Sequence, residues 1–119
     1  MLTFDLVAET EALRQEHGWR DSGHSAKTLV KHQDQRIVLI AMKAGTRMMK
    51  HEAPGAISIQ VLSGRLRVHA GRATFELPSA SLLALDRALP HDVEATEDSS
   101  LVLTLCSKVP KRSVSTFVS

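Results

Sequence analysis

The sequence predicts an all-β chain that closes into a small barrel or sandwich. Two observations carry this expectation. From Ala26 onward, short apolar or alternating segments follow one another, with turn signals about every 8–12 residues. No helical crossover separates them, which argues against a parallel α/β sheet. The 119 residues, 43% of them apolar, suffice for one domain with a real core. No internal repeat or domain boundary is visible, so residues 1–119 read as a single unit.

The first element is the exception to the β pattern. Residues 6 to 17 read as one short helix with a modest apolar stripe from Leu6, Leu13 and the alanines. Asp5 is placed to cap it, Glu9 and Glu11 fall near its positive end, and Gly18 is placed to stop it. A polar stretch from Trp19 to Ser25 then reads as a connector. Arg36-Ile-Val-Leu-Ile-Ala-Met42 is a continuous β-branched run, the pattern of a strand buried on both faces. Ile57–Leu62 and Arg65–His69 flank Ser63-Gly64, which reads as a hairpin turn. Ala70-Gly-Arg72 marks another turn before Ala73–Leu77. Leu82–Asp86, His91–Ala95 and Ser100–Cys106 complete the series, and a basic tail, Lys108-Val-Pro-Lys-Arg112, follows.

Composition narrows the function classes. The net charge is +2 and the basic residues are scattered outside that tail. With one Trp, three Phe and no Tyr, base-stacking side chains are scarce, so nucleic-acid binding is not expected. No apolar run approaches the roughly 20 residues of a membrane span. The N-terminus lacks the basic and apolar regions of a secretory signal. The lone Cys106 excludes an intramolecular disulfide, and a cytoplasmic location is the expectation. No nucleophile elbow, P-loop or dinucleotide fingerprint occurs.

Two motifs carry more information. The first is Gly45, five residues, then His51-Glu-Ala53, followed by Ile57 to Gly64. The second is Asp86-Arg-Ala-Leu-Pro90-His91. From about Ala26 to Leu105 the chain resembles a small single-domain cupin, an RmlC-like jelly roll. Gly45, Gly64, Pro90 and His91 match that family's two motifs in place and order. The resemblance implies a double-stranded β-helix barrel over about residues 26–106, with the helix packed outside. It also implies a site at the barrel mouth, where family metals are held by three His and one Glu. Carried over residue by residue, only His51 and His91 survive. Ala53 and Ile57 stand at the other two positions, and Ala88 replaces a motif glycine.

Strand parity agrees with a degenerate site. If His51 points inward on a regular strand, Met49 and Ala53 do too, and Ile57 brings Ile59 and Val61 with it. The expected pocket is therefore His51 and His91 against a wall of Met49, Ile57, Ile59 and Val61. Two imidazoles alone hold a transition metal poorly, so the expected cofactor is none, or a weakly bound divalent metal on His51 and His91. Gln60 should face outward; His69, one strand away, has no assignable direction. His17, His24 and His32 read as surface histidines. Cys106 reads as an inert thiol, and Glu52 as a rim charge. Met42 and Met48 read as core or pocket lining. An epimerase of the RmlC kind pairs a His base with a Tyr acid, and this chain has no Tyr.

Two main functional expectations remain. One is a module that binds a small organic, possibly acidic, ligand in the barrel. The other is a metal-dependent dioxygenase, isomerase or lyase using His51 and His91. A third is a structural dimer with a vestigial pocket. A homodimer is expected in any case, because a small antiparallel barrel leaves edges that proteins pair or cover.

Overall fold

A computed structural model describes residues 1–51, 55–85 and 89–106, with residues 49–51 described by their backbone alone. Glu52, Ala53, Ala88 and the basic tail lie outside the described residues. Two short helices precede nine strands. The helices are α1 (Leu6–Arg14) and α2 (His17–Asp21). The strands are β1 (His24–Lys31), β2 (Gln35–Met42), β3 (Arg47–His51), β4 (Ile57–Ser63), β5 (Arg65–Ala70), β6 (Ala73–Pro78), β7 (Leu82–Leu85), β8 (His91–Ala95) and β9 (Ser99–Cys106).

The strands form two antiparallel sheets. The first, sheet A, has the order β1-β2-β9-β4-β7, and the second, sheet B, has β3-β8-β5-β6. Only β1–β2 and β5–β6 are consecutive strands paired within one sheet; every other connection passes from one sheet to the other. That alternation winds the chain into the expected double-stranded β-helix.

Alternation along the strands builds the interior. Val38, Ile40 and Met42 of β2, Ile57, Ile59 and Val61 of β4, Leu66 and Val68 of β5, Val93 of β8 and Leu101 of β9 meet between the sheets. Burying a Val, Leu, Ile or Met side chain contributes roughly 1.5–3 kcal/mol. A second apolar layer lies outside sheet A, where Leu13 of α1 packs on Leu39, Ala41 and Val102, flanked by Leu6, Trp19, Leu29, Ile37 and Leu62. The continuous apolar run of β2 therefore faces the barrel core on one side and α1 on the other.

Four local expectations are corrected. The helix expected over 6–17 is two helices. Asp5 caps α1 as anticipated, accepting from Val7 N and Ala8 N at 3.1 Å. The chain then turns extended at Glu16, whose carboxylate accepts the Ser25 hydroxyl at 2.6 Å. Gly18 lies inside α2 and does not stop a helix; Gly23, at φ +86°, follows α2 and donates to the Gly18 carbonyl at 3.1 Å. Trp19, expected in a connector, reaches the outer layer from α2, so tertiary packing overrides the polar local sequence. Ser63-Gly64 is not a hairpin: it carries the chain from β4 in sheet A to β5 in sheet B. The turn at Gly71-Arg72 does join a hairpin, with Ala70 opposite Ala73 and Gly71 at φ +61°.

Candidate functional site

The site is organised by the start of β8. Pro90, which fixes φ and has no N–H, precedes the strand, and strict alternation follows. His91, Val93 and Ala95 point into the barrel; Asp92 and Glu94 point out. His91 is 5% exposed. Its Nδ1 lies 3.2 Å from the Leu89 carbonyl. A carbonyl only accepts, so Nδ1 carries the proton and a neutral ring leaves Nε2 as its acceptor nitrogen.

The register of β3 on β8 brings the two motif histidines together in the backbone. Arg47 opposes Glu94, Met48 opposes Val93, and His51 opposes His91. The register shifts by one between Met48 and His51, so β3 carries a bulge. Met48 is the methionine that packs against the core, and Met42 is buried within it. The side chains of Met49 and His51 lie outside what the structure describes.

Ile57, Ile59 and Val61 point inward as expected and are buried among the side chains that meet between the sheets, at 5%, 0% and 1% exposure. Gln60 faces outward and is exposed.

Other described residues border His91. His69, Gly71, Pro90, His91 and Asp92 line a depression of about 320 Å³ at the β5–β8 end of sheet B. His69 opposes Asp92 on one side and Thr74 on the other, and its Nδ1 lies 3.1 Å from the Thr74 hydroxyl. The Asp92 Oδ2 accepts from Arg47 at 2.8 Å, while Oδ1 is buried without a hydrogen-bond partner among the described residues. Asp92 holds the Arg47 guanidinium above its ordinary value, first through that hydrogen bond and then through its charge. Sequence reasoning missed Asp92 and left His69 without a direction. The alternation of Arg65-Leu-Arg-Val-His-Ala70 would have turned His69 outward once β5 was placed beside β8.

Among the described residues no group of three or more His, Cys, Asp or Glu could hold a metal. His69 projects from the face of sheet B opposite to that of His91. Ile57, at the position of the family carboxylate, is core. His17 and His32 are exposed as expected, whereas His24 is half-buried with an unpartnered Nδ1. Cys106 is half-buried at the end of β9.

Comparison with solved structures settles the architecture. A Streptococcus pyogenes protein of unknown function, SPY1581, superposes with a TM-score of 0.76 at 21% identity, covering 92% of this chain and 90% of that one. An RmlC-like cupin from Desulfovibrio desulfuricans gives 0.73 at 21% identity, covering 92% and 99%. The fold is that of a small cupin. A third cupin-fold likeness is to salicylate 1,2-dioxygenase from Pseudoaminobacter salicylatoxidans, with a TM-score of 0.77 at 18% identity, over 87% of this chain but 34% of that enzyme. At these identities the likeness is one of fold. No family model matches the chain, and no curated protein sequence matches it. No described helix of this cupin fold is long and apolar enough to cross a membrane.

Proposed function

We propose that this cupin-fold protein binds a small organic ligand bearing a carboxylate and a hydroxyl, held at the mouth of the barrel by imidazoles. The observation that carries the reading is the depression at the β5–β8 end of sheet B, bordered by His91 from the inner face and by His69 and Asp92 from the outer one, with His51 opposite His91 in the register. Directly opposed residues of an antiparallel pair share a face, which supports a His51–His91 pair. Neutral imidazoles accept or donate one hydrogen bond per nitrogen; protonated, both nitrogens donate and the ring favours an anion. Arg47 offsets the charge of Asp92, so the rim does not repel a carboxylate as an unpaired aspartate would. Two of the family's four ligand positions hold Ala53 and Ile57, which favours binding over metal-dependent catalysis.

The test is a thermal-shift screen of small hydroxy acids and plain carboxylic acids, followed by calorimetry near pH 6 and pH 8. These values bracket the range in which imidazole side chains change charge. Affinity should rise as pH falls, provided the ligand stays ionised, and should drop roughly tenfold in His91→Ala and in His51→Ala, about one lost charge-assisted hydrogen bond. Equal affinity in all three proteins would remove the reading. Stoichiometric iron, manganese, nickel or zinc that disappears in His91→Ala would replace it with a metal enzyme.

A further inference from the structure

Helix α1 presents two stripes to its surroundings. Leu6, Thr10 and Leu13 share the face that seats it on sheet A, and Thr10 and Leu13 are buried. Val7, Glu11 and Arg14, at i, i+4 and i+7, form the adjoining stripe. Leu13 packs over β2 and β9, on Leu39, Ala41 and Val102. The sheet continues past the helix, in the order β2-β9-β4. The step from α1 down to β4 leaves a groove of about 400 Å³. On the helix side it is bordered by Leu6, Val7, Glu11 and Arg14. On the sheet side it is bordered by Leu62 and Ser63, at the end of β4, and by Ser100, near the start of β9. The described residues of sheet A break off at Leu85 and Cys106, beside Ile57 and Ala56, which is the opposite end of β4.

The groove is apolar along α1's first turn and cationic at its last. Leu6, Val7 and Leu62 supply the apolar surface, and Val7 is 75% exposed. Arg14 supplies the charge. Its side chain is 26% exposed, yet Nε is buried with no hydrogen-bond partner among the described residues. Its guanidinium meets Glu11 only at 3.7 Å, and the Glu11 side chain is 64% exposed. Such a pair gains little. The Ser63 and Ser100 hydroxyls share one hydrogen bond at 2.7 Å. Whichever of them donates, the other keeps a proton for a further acceptor. We propose that this groove binds a straight-chain carboxylate of medium length, its carboxylate on Arg14 and its alkyl chain along Leu6, Val7 and Leu62.

Charge and length select this occupant. A guanidinium takes a planar carboxylate in a two-pronged contact. One guanidinium beside one carboxylate suits a single negative charge, whereas a phosphate dianion would set its second charge near Glu11. Leu6 and Arg14 are the two ends of α1, about 12 Å apart along its axis, which is the reach of an octanoate or decanoate chain. Leu6 also borders a second hollow, of about 230 Å³, where Phe4 and Ile37 continue the apolar surface. The groove carries its own reporter. Trp19 is the chain's one tryptophan, and its ring lies 5.4 Å from the Arg14 guanidinium carbon. This inference is independent of the ligand reading, since none of its residues lines the depression at His91.

Calorimetry and Trp19 fluorescence on the full chain test it, with acetate, hexanoate, octanoate, decanoate and decanol as probes. Octanoate and decanoate should bind saturably, one per chain, and change the Trp19 emission. Affinity should rise roughly two- to fourfold per methylene from hexanoate to octanoate. Decanol and acetate should bind at least tenfold more weakly than decanoate. Arg14→Gln should weaken decanoate roughly tenfold, about one lost charge-assisted hydrogen bond. Val7→Asp, changed at an exposed side chain, should weaken it by a similar factor and keep the wild-type circular dichroism. Its neighbour Ala8→Asp, exposed and outside the groove, should bind as wild type does. Glu11→Gln should tighten binding, and His91→Ala should leave it unchanged. No saturable binding below about 1 mM would overturn the proposal. So would acetate or decanol matching decanoate, or full affinity in both Arg14→Gln and Val7→Asp. Loss of decanoate binding in His91→Ala, or binding that leaves Trp19 emission unchanged, would place the ligand elsewhere and overturn it too.

Discussion

The outer faces of the two sheets solve the same problem in opposite ways. Sheet A hides its outer face: Leu39, Ala41 and Val102 lie under Leu13 of α1, with Trp19 beside them. Sheet B leaves its outer face in water and covers it with alternating charge. Arg47 pairs with Asp92 at 2.8 Å, and Arg67 with Glu76 at 2.6 Å and Glu94 at 3.7 Å. Both sheets share one apolar interior, so the difference lies wholly in the outward half of each strand's alternation. β2 is apolar at every position from Ile37 to Met42, whereas β5 reads Arg65-Leu-Arg-Val-His-Ala70. A strand with a second layer over it loses the period of two; a strand facing solvent keeps it.

The two sheets are most easily disturbed where they are joined. Gly64 sits at φ +86° at the crossing from β4 to β5. A Cβ there would fall 2.3 Å from both the Asp98 carbonyl oxygen and Ser99 Oγ. The first contact is with main chain, so no rotamer relieves it. Gly64→Ala should cost about 4 kcal/mol, from left-handed strain together with overpacking. Gly45, at φ +87°, has nothing within 4 Å of such a Cβ, so Gly45→Ala should cost only the strain, about 1–2 kcal/mol. Denaturant unfolding of both variants checks the pair; equal losses would mean that the Gly64 corner is free to move.

The next largest effect probes the covered face. Leu39 is fully buried between sheet A and α1. Leu39→Ala should cost about 3 kcal/mol, as truncation of a buried leucine leaves a cavity. A loss under about 1 kcal/mol in equilibrium unfolding would mean that α1 is only loosely laid on the sheet.

How much of this was legible in the sequence follows from the same contrast. The barrel was legible because strand length, alternation and the motif glycines are local signals. The cover over β2 was legible as well, since a continuous apolar run needs two apolar neighbours. The helix break at Glu16 was not, because it depends on Ser25 and on the place Trp19 finds in the outer layer, both tertiary facts. Ser63-Gly64 looked like a hairpin because a glycine at positive φ serves a sheet crossing as well as a tight turn. At the site, His91 was found by its motif and its inward direction by alternation. The register shift in β3 between Met48 and His51 was not legible, because a bulge leaves no mark that one sequence can show. Ile59 and Val61 were rightly turned inward by the same alternation.

The smallest expected effect belongs to the charged face. Arg67 holds Glu76 and Glu94 from a side chain that is 40% exposed. The hydrogen bond to Glu76, then the charge of Glu76, raises the guanidinium above its ordinary value, so Arg67 stays charged throughout the working pH range. Exposed pairs of this kind gain little, because water screens them and two long side chains lose freedom in forming them. Removing Arg67 leaves Glu76 and Glu94 on the strands either side of β5, two strand spacings apart and still hydrated, so their repulsion is also screened. Arg67→Ala should therefore unfold at the wild-type midpoint within scatter, and any small difference should vanish on adding salt. Sheet B would then owe its place to the shared interior alone. A loss comparable to that of Leu39→Ala, persisting in high salt, would show the charge lattice to be as structural as the helix over sheet A, and the contrast between the two faces would be one of chemistry and not of strength.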